Sequence, residues 1–70
     1  QNWWCTPHGC FISDREAAKY CPWSRCTIRD RCNNSEKIVK ANYQVEEEFY
    51  GRTWRDNGFY KVPRDFKNQT

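Results

Sequence analysis

All five cysteines of this 70-residue chain, Cys5, Cys10, Cys21, Cys26 and Cys32, fall within its first 32 residues. A chain this short supplies at most one core, and ordering it costs roughly 1.5 kcal/mol per residue in conformational entropy. Covalent staples are the usual remedy. The need is acute here because the sequence contains neither leucine nor methionine. Its aliphatic stock is Ile12, Ile28, Ile38, Val39, Val45 and Val62. The core must therefore come largely from four tryptophans, four tyrosines and four phenylalanines, each able to bury on the order of 150–250 Å².

Dense cysteine in a short chain points to an oxidising compartment, and the chain reads as a mature secreted protein. Gln1 suits a first residue left by removal of a leader peptide. Asn33-Asn34-Ser35 and Asn68-Gln69-Thr70 fit the glycosylation acceptor pattern, at Asn33 and Asn68. Five is odd, so two bridges leave one thiol, and spacing alone does not choose the partners. The unpaired thiol could be buried, reactive, or the link of a disulfide-bonded dimer. The cysteine gaps, with the single His8 among them, match no tight zinc-knuckle spacing. The sequence therefore implies no metal and no cofactor. No apolar run approaches the ~18 residues of a membrane helix.

Composition divides the chain into a cysteine-rich front, residues 1–36, a sheet-forming rear, 37–63, and a loose tail, 64–70. Ser13 followed by Glu16 forms a capping box, predicting a helix through Ala17 and Ala18 to Cys21, where Pro22 ends it. Residues 22–36 read as a disulfide-tied connection. From Ile38 the pattern alternates, with Val39, Ala41, Tyr43 and Val45 on one face, predicting a half-buried strand. Phe49–Arg55 and Phe59–Val62 flank Asp56-Asn57-Gly58, predicting a hairpin with Trp54 opposite Tyr60 and Arg52 opposite Val62. Gly51 marks a bulge or a close backbone approach. The expected class is α+β, one short helix packed on a three-stranded antiparallel sheet, with a disulfide-stabilised N-terminal half.

Catalytic constellations are hard to assemble from these residues. The lone His8 sits in a cysteine-bracketed turn, and Glu46-Glu47-Glu48 reads as a solvated strand end. The expectation is a protein that is not an enzyme. Two basic groups are candidate binding surfaces: Arg25, Arg29 and Arg31 in the connection, and Arg52, Trp54, Arg55, Tyr60 and Lys61 on the predicted hairpin. Aromatics flanked by arginines can stack bases. However, a net charge of +3 and the neighbouring acids disfavour nucleic acid. The first group could also meet an acidic partner or an anionic membrane surface.

Trp3-Trp4-Cys5, the capped helix Ile12-Ser13-Asp14-Arg15-Glu16-Ala17-Ala18, and Gly58-Phe59-Tyr60-Lys61-Val62-Pro63 occur in a suggestive order. The chain thereby resembles small secreted effectors of plant-pathogenic fungi that carry an N-terminal Y/F/W-x-C motif, notably those of powdery mildews. The resemblance implies a fold like that of guanyl-specific fungal ribonucleases without their catalytic residues, and a host protein as partner. The expected function is a secreted, non-catalytic binding protein, a pathogen effector. The alternatives are a cationic toxin or antimicrobial peptide acting on membranes, and a small protease inhibitor presenting Pro22–Arg25.

Overall fold

Strand pairing begins earlier in the chain than the alternation pattern suggests. The structure, a computed structural model, describes residues 2–64. Asn2–Thr6 forms β1 and Gly9–Phe11 forms β2, joined by a tight turn at Pro7-His8. Thr6 holds this turn together, its Oγ1 donating to the Gly9 carbonyl at 3.1 Å and accepting from the His8 amide at 3.0 Å. Tyr60–Pro63 forms β3, and the three strands make an antiparallel sheet in the order β2-β1-β3. The register sets Cys5 opposite Cys10 on one side and opposite Tyr60 on the other. The α+β class and the three-stranded antiparallel sheet are thus present, but β3 pairs with β1 and not with a 49–55 strand. Trp54 does not face Tyr60, and Val62 lies opposite Trp3 rather than Arg52.

Two helices, not one, pack against the sheet. The first, α1, is Asp14–Tyr20. Ser13 caps it by accepting from the Glu16 amide at 3.0 Å, and Asp14 and Glu16 lie at its positive end. Residues 25–33, expected as a connection, form the second helix, α2, Arg25–Asn33. Ser24 caps it by accepting from the Thr27 amide at 3.2 Å. Ile28, Arg31 and Cys32 all bury, which is the i, i+3, i+4 face of a helix rather than the scatter of a loop.

Residues 38–46 are not a strand. Only Ile38 bridges, to Thr53, although Val39 exchanges backbone hydrogen bonds with Arg52 and Gly51 and Trp54 donates to Lys37. Beyond Val39 the chain leaves this clasp, so Tyr43 is 94% exposed instead of joining a buried face. Residues 49–55 are likewise not a strand: Glu47–Phe49 is a single 3-10 turn and turns follow it. Gly51 takes φ +86° and Gly58 φ +106°, so each occupies the positive-φ region that glycine enters without a steric penalty.

The buried core is Ala17, Ile28, Cys32, Val39, Phe49 and Phe59, with Trp4, Phe11, Trp23 and Trp54 packed around it. Phe59 stands at its centre, meeting Trp23, Phe49 and Trp54 edge-on at centroid separations of 4.9, 5.6 and 5.5 Å. An aromatic-built core is therefore present, but Tyr20 and Tyr43 remain outside it. Phe66 and the rest of the expected tail beyond Arg64 lie outside the described residues.

A single disulfide, Cys5–Cys10, crosses β1 and β2. Closing so short a loop contributes about 2 kcal/mol on chain-entropy grounds. Cys21, Cys26 and Cys32 carry free thiols, where two bridges and one thiol were expected. Helix α2 explains part of this. Residues 26 and 32 are six apart, so a 3.6-residue period turns them to different faces. Cys26 is exposed, while Cys32 is buried and donates to the Cys5 carbonyl at 3.3 Å. Burial pushes the Cys32 thiol up to about 11. Cys21 rests against the Thr6 hydroxyl at 3.5 Å.

Candidate functional site

The inward face of α2 delivers one charged side chain into the aromatic core. Arg31 is 5% exposed, and its guanidinium carbon lies 4.5 Å from the Trp54 centroid, 5.2 Å from Phe59, 5.6 Å from Trp23 and 5.7 Å from Phe49. A guanidinium is planar and weakly hydrated, so aromatic faces can replace part of its water. Glu46 supplies the counter-charge: Arg31 Nη2 donates to its Oε1 at 3.3 Å, and the Trp23 indole Nε1 donates to its Oε2 at 2.6 Å. Burial works to raise the Glu46 carboxyl. The Trp23 hydrogen bond and the Arg31 charge outweigh it and hold the group below the usual carboxylate range.

Above Arg31, α2 and the 37–45 segment enclose a groove of about 880 Å³, within the range of ligand pockets, roughly 300–1,000 Å³. Arg31, Asn34, Lys37, Lys40, Asn42 and Trp54 are among its walls. Arg31 Nη1 is buried and has no hydrogen-bond partner, the only such side-chain atom among the described residues. The 40–45 wall has no strand ladder and is held by side chains and by one turn hydrogen bond, the Val45 amide to the Asn42 carbonyl at 2.9 Å. Tyr50 Oη accepts from the Asn42 amide at 3.0 Å and donates to the Asn42 carbonyl at 2.7 Å. Asn42 Oδ1 accepts from the Gln44 amide at 2.8 Å.

The structure brings Arg31 and Trp54 together from the two predicted basic groups, sets Arg25 and Arg29 on one carboxylate, and lays Arg55 over Tyr60. Arg25 and Arg29 do not join Arg31. They clamp Asp14 at 3.2 and 2.9 Å, tying α2 to the start of α1. Asp14 is buried, which alone would raise its carboxyl, but hydrogen bonds and charge from the two arginines leave it lowered. The expected 52–61 residues do not share one hairpin, because β3 pairs with β1. Arg52 Nη2 donates to the Glu48 carbonyl, Arg55 pairs with Glu36 at 2.8 Å and covers Tyr60, and Lys61 lies over Trp4. Tyr60 and Lys61 are neighbours on β3, so their side chains leave opposite faces of the sheet.

Pro22–Arg25 is also not a disulfide-braced loop, because Cys21 and Cys26 are unpaired and Arg25 opens α2. Asn33 is exposed at the last position of α2; Asn68 lies outside the described residues. Glu46 and Trp23 were missed as site residues. Glu46 was hidden inside a run of three acids that reads as a solvated end, and Trp23 behind a proline in an apparent loop. Lys37 and Lys40 were hidden in the polar half of a strand-like alternation. The sequence signal that could have found the site is Ser24-x-x-Thr27 opening a helix that places residue 31 beside Ile28.

Among the described residues, no group of three or more His, Cys, Asp or Glu side chains could hold a metal ion. No helix there is long and apolar enough to cross a membrane. No protein-family profile matches the sequence, and no characterised protein or solved structure is significantly similar to it.

Proposed function

We propose that this protein is a secreted, non-catalytic binding module that acts on a host protein, as the effectors it resembles do. The observation that carries the binding reading is the groove over Arg31. It combines a buried charge in an aromatic cage with exposed lysines at its walls. Such a mixture of one anchored ion, polar side chains and the apolar Ile38, Val39 and Trp54 suits recognition of a polypeptide. The Cys5–Cys10 bridge supports the secreted reading. Cys26, exposed on α2, is the thiol through which a disulfide-linked dimer would form.

The test is the intact mass of the protein isolated from its source, before and after reduction and alkylation, followed by an RNA-cleavage assay on the same material. One native bridge and no RNA turnover are expected, with a glycan mass where Asn33 is modified. Five free thiols would remove the secreted reading, and RNA turnover would overturn the non-catalytic one.

A further inference from the structure

We infer that the groove between α2 and the 37–45 segment receives an acidic peptide segment of the protein partner, with Arg31 as the residue that recognises its carboxylate. The inference rests on the binding function proposed above and names the chemistry of its partner. Arg31 has five N–H donors, of which Glu46 engages Nη2. Glu46 does not line the groove, whereas Arg31 does, and Nη1 is left without a partner. A buried, unpaired guanidinium nitrogen is an unmet demand for an acceptor, met best by a carboxylate.

The rest of the groove agrees in charge. Lys37 and Lys40 are exposed at its walls and form no ion pair among the described residues, and Asn34 and Asn42 add amides. Asp30 is the one acidic wall residue, and its side chain already accepts from Asn34 Nδ2 at 3.2 Å. A single carboxylate fits this balance. A nucleic-acid backbone, with a phosphate at every step, would meet Asp30 inside the groove without further cations to answer it. Nη1 is buried, so the wall must yield for the carboxylate to arrive. We assign that movement to the 40–45 wall, which has no strand ladder and is held by Tyr50 Oη, Asn42 Oδ1 and one turn hydrogen bond from the Val45 amide to the Asn42 carbonyl. Trp54, against the guanidinium and on the groove wall, reports the event.

The probe is the acetylated, amidated tripeptide Glu-Asp-Glu, titrated into the ¹⁵N-labelled oxidised protein. The expected result is saturable shifts at the Arg31 Nε–H and at the Asn34 and Asn42 side-chain amides, with a change in tryptophan emission. Affinity should fall about fivefold or more between about 0.05 and 0.5 M salt. The double variant Lys37→Glu, Lys40→Glu changes exposed residues only and should weaken binding about tenfold. Arg31→Lys should do the same wherever its circular dichroism shows a native fold. Equal binding of a Gln-Asn-Gln peptide, shifts confined to another face, or indifference to the lysine variants would overturn the inference. Tighter binding of a short single-stranded RNA in the same groove would overturn it too. None of these outcomes requires RNA turnover, so the groove assignment can fail while the non-catalytic function stands.

Discussion

Arg31 sits with its guanidinium carbon 4.5 Å from the ring centroid of Trp54, nearer than to any of the other three aromatic faces around it. Its long aliphatic stem thus fills core volume, while ring faces and Glu46 answer its charged end everywhere but at Nη1. The two roles separate by substitution. Arg31→Ala removes both and should lower unfolding free energy by about 2–5 kcal/mol, the range for truncating a long buried side chain. Arg31→Met keeps the volume and should recover most of that loss, because the Glu46 partner is 40% exposed and the ion pair is largely screened. Urea denaturation of the two variants measures the difference. Equal losses would show that charge, not packing, is what Arg31 contributes.

Acid should loosen the protein at two carboxylates. Asp14 and Glu46 are both held below their ordinary values in the folded chain. Their contribution is therefore complete above the unfolded-state carboxylate range and is lost as pH falls through the lower folded-state values. Thermal midpoints should be level above about pH 5 and decline below it. Asp14→Asn, which cannot titrate, should flatten part of that acid limb. A midpoint that rises on acidification would contradict the assigned direction.

Thiol chemistry should rank the three free cysteines. Cys26 is exposed, Cys21 half-buried, and Cys32 buried with its thiol pushed up to about 11. The thiolate is the reactive form, so iodoacetamide at neutral pH should modify Cys26 first and spare Cys32 until the protein unfolds. Peptide mapping should find three alkylated sites in denatured, unreduced protein and five after reduction. Cys26→Ser should abolish any disulfide-linked dimer.

A methyl group at Gly58 should be costly for two reasons at once. The residue holds φ +106°, and an added Cβ would come within 3.2 Å of the Pro7 backbone. Gly58→Ala should destabilise by about 1–3 kcal/mol and widen the contact between the Pro7-His8 turn and the 56–58 turn. Gly51→Ala, with a positive φ but open space, should cost less. Chemical denaturation of the pair checks the order.

Local chemistry was readable where it decided the outcome. Ser13 and Glu16 announced α1, and Ser13 does cap the Glu16 amide, although the Glu16 carboxylate turns to Lys19 at 3.1 Å. Helix α2 was obscured because its inward positions are Ile28, Arg31 and Cys32. An arginine and a cysteine do not read as an apolar stripe, and cysteines invite interpretation as bridges. The alternation from Val39 to Val45 misled for the opposite reason. A period of two was present, but Tyr50 and Asn42 fold that stretch on itself, and only Ile38 finds a strand-like partner. Local pattern could not reveal that β3 chooses β1, since that pairing is decided by closure of the whole chain. The candidate site suffered accordingly: its arginine and Trp54 were named, while the partner carboxylate and the groove lysines depend on long-range folding.

The strand order β2-β1-β3 also sets a timetable. The central strand acquires one neighbour almost immediately, across a tight turn and a covalent bridge. It receives its second only when Pro63 returns to meet Asn2. Joining segments so far apart carries a larger closure entropy and slows folding. A nascent chain therefore displays a bare hydrogen-bonding edge, flanked by Trp3 and Trp4, until almost its last described residue has emerged. That edge is the protein's period of greatest exposure to mispairing with other chains, and it ends only when the late strand arrives.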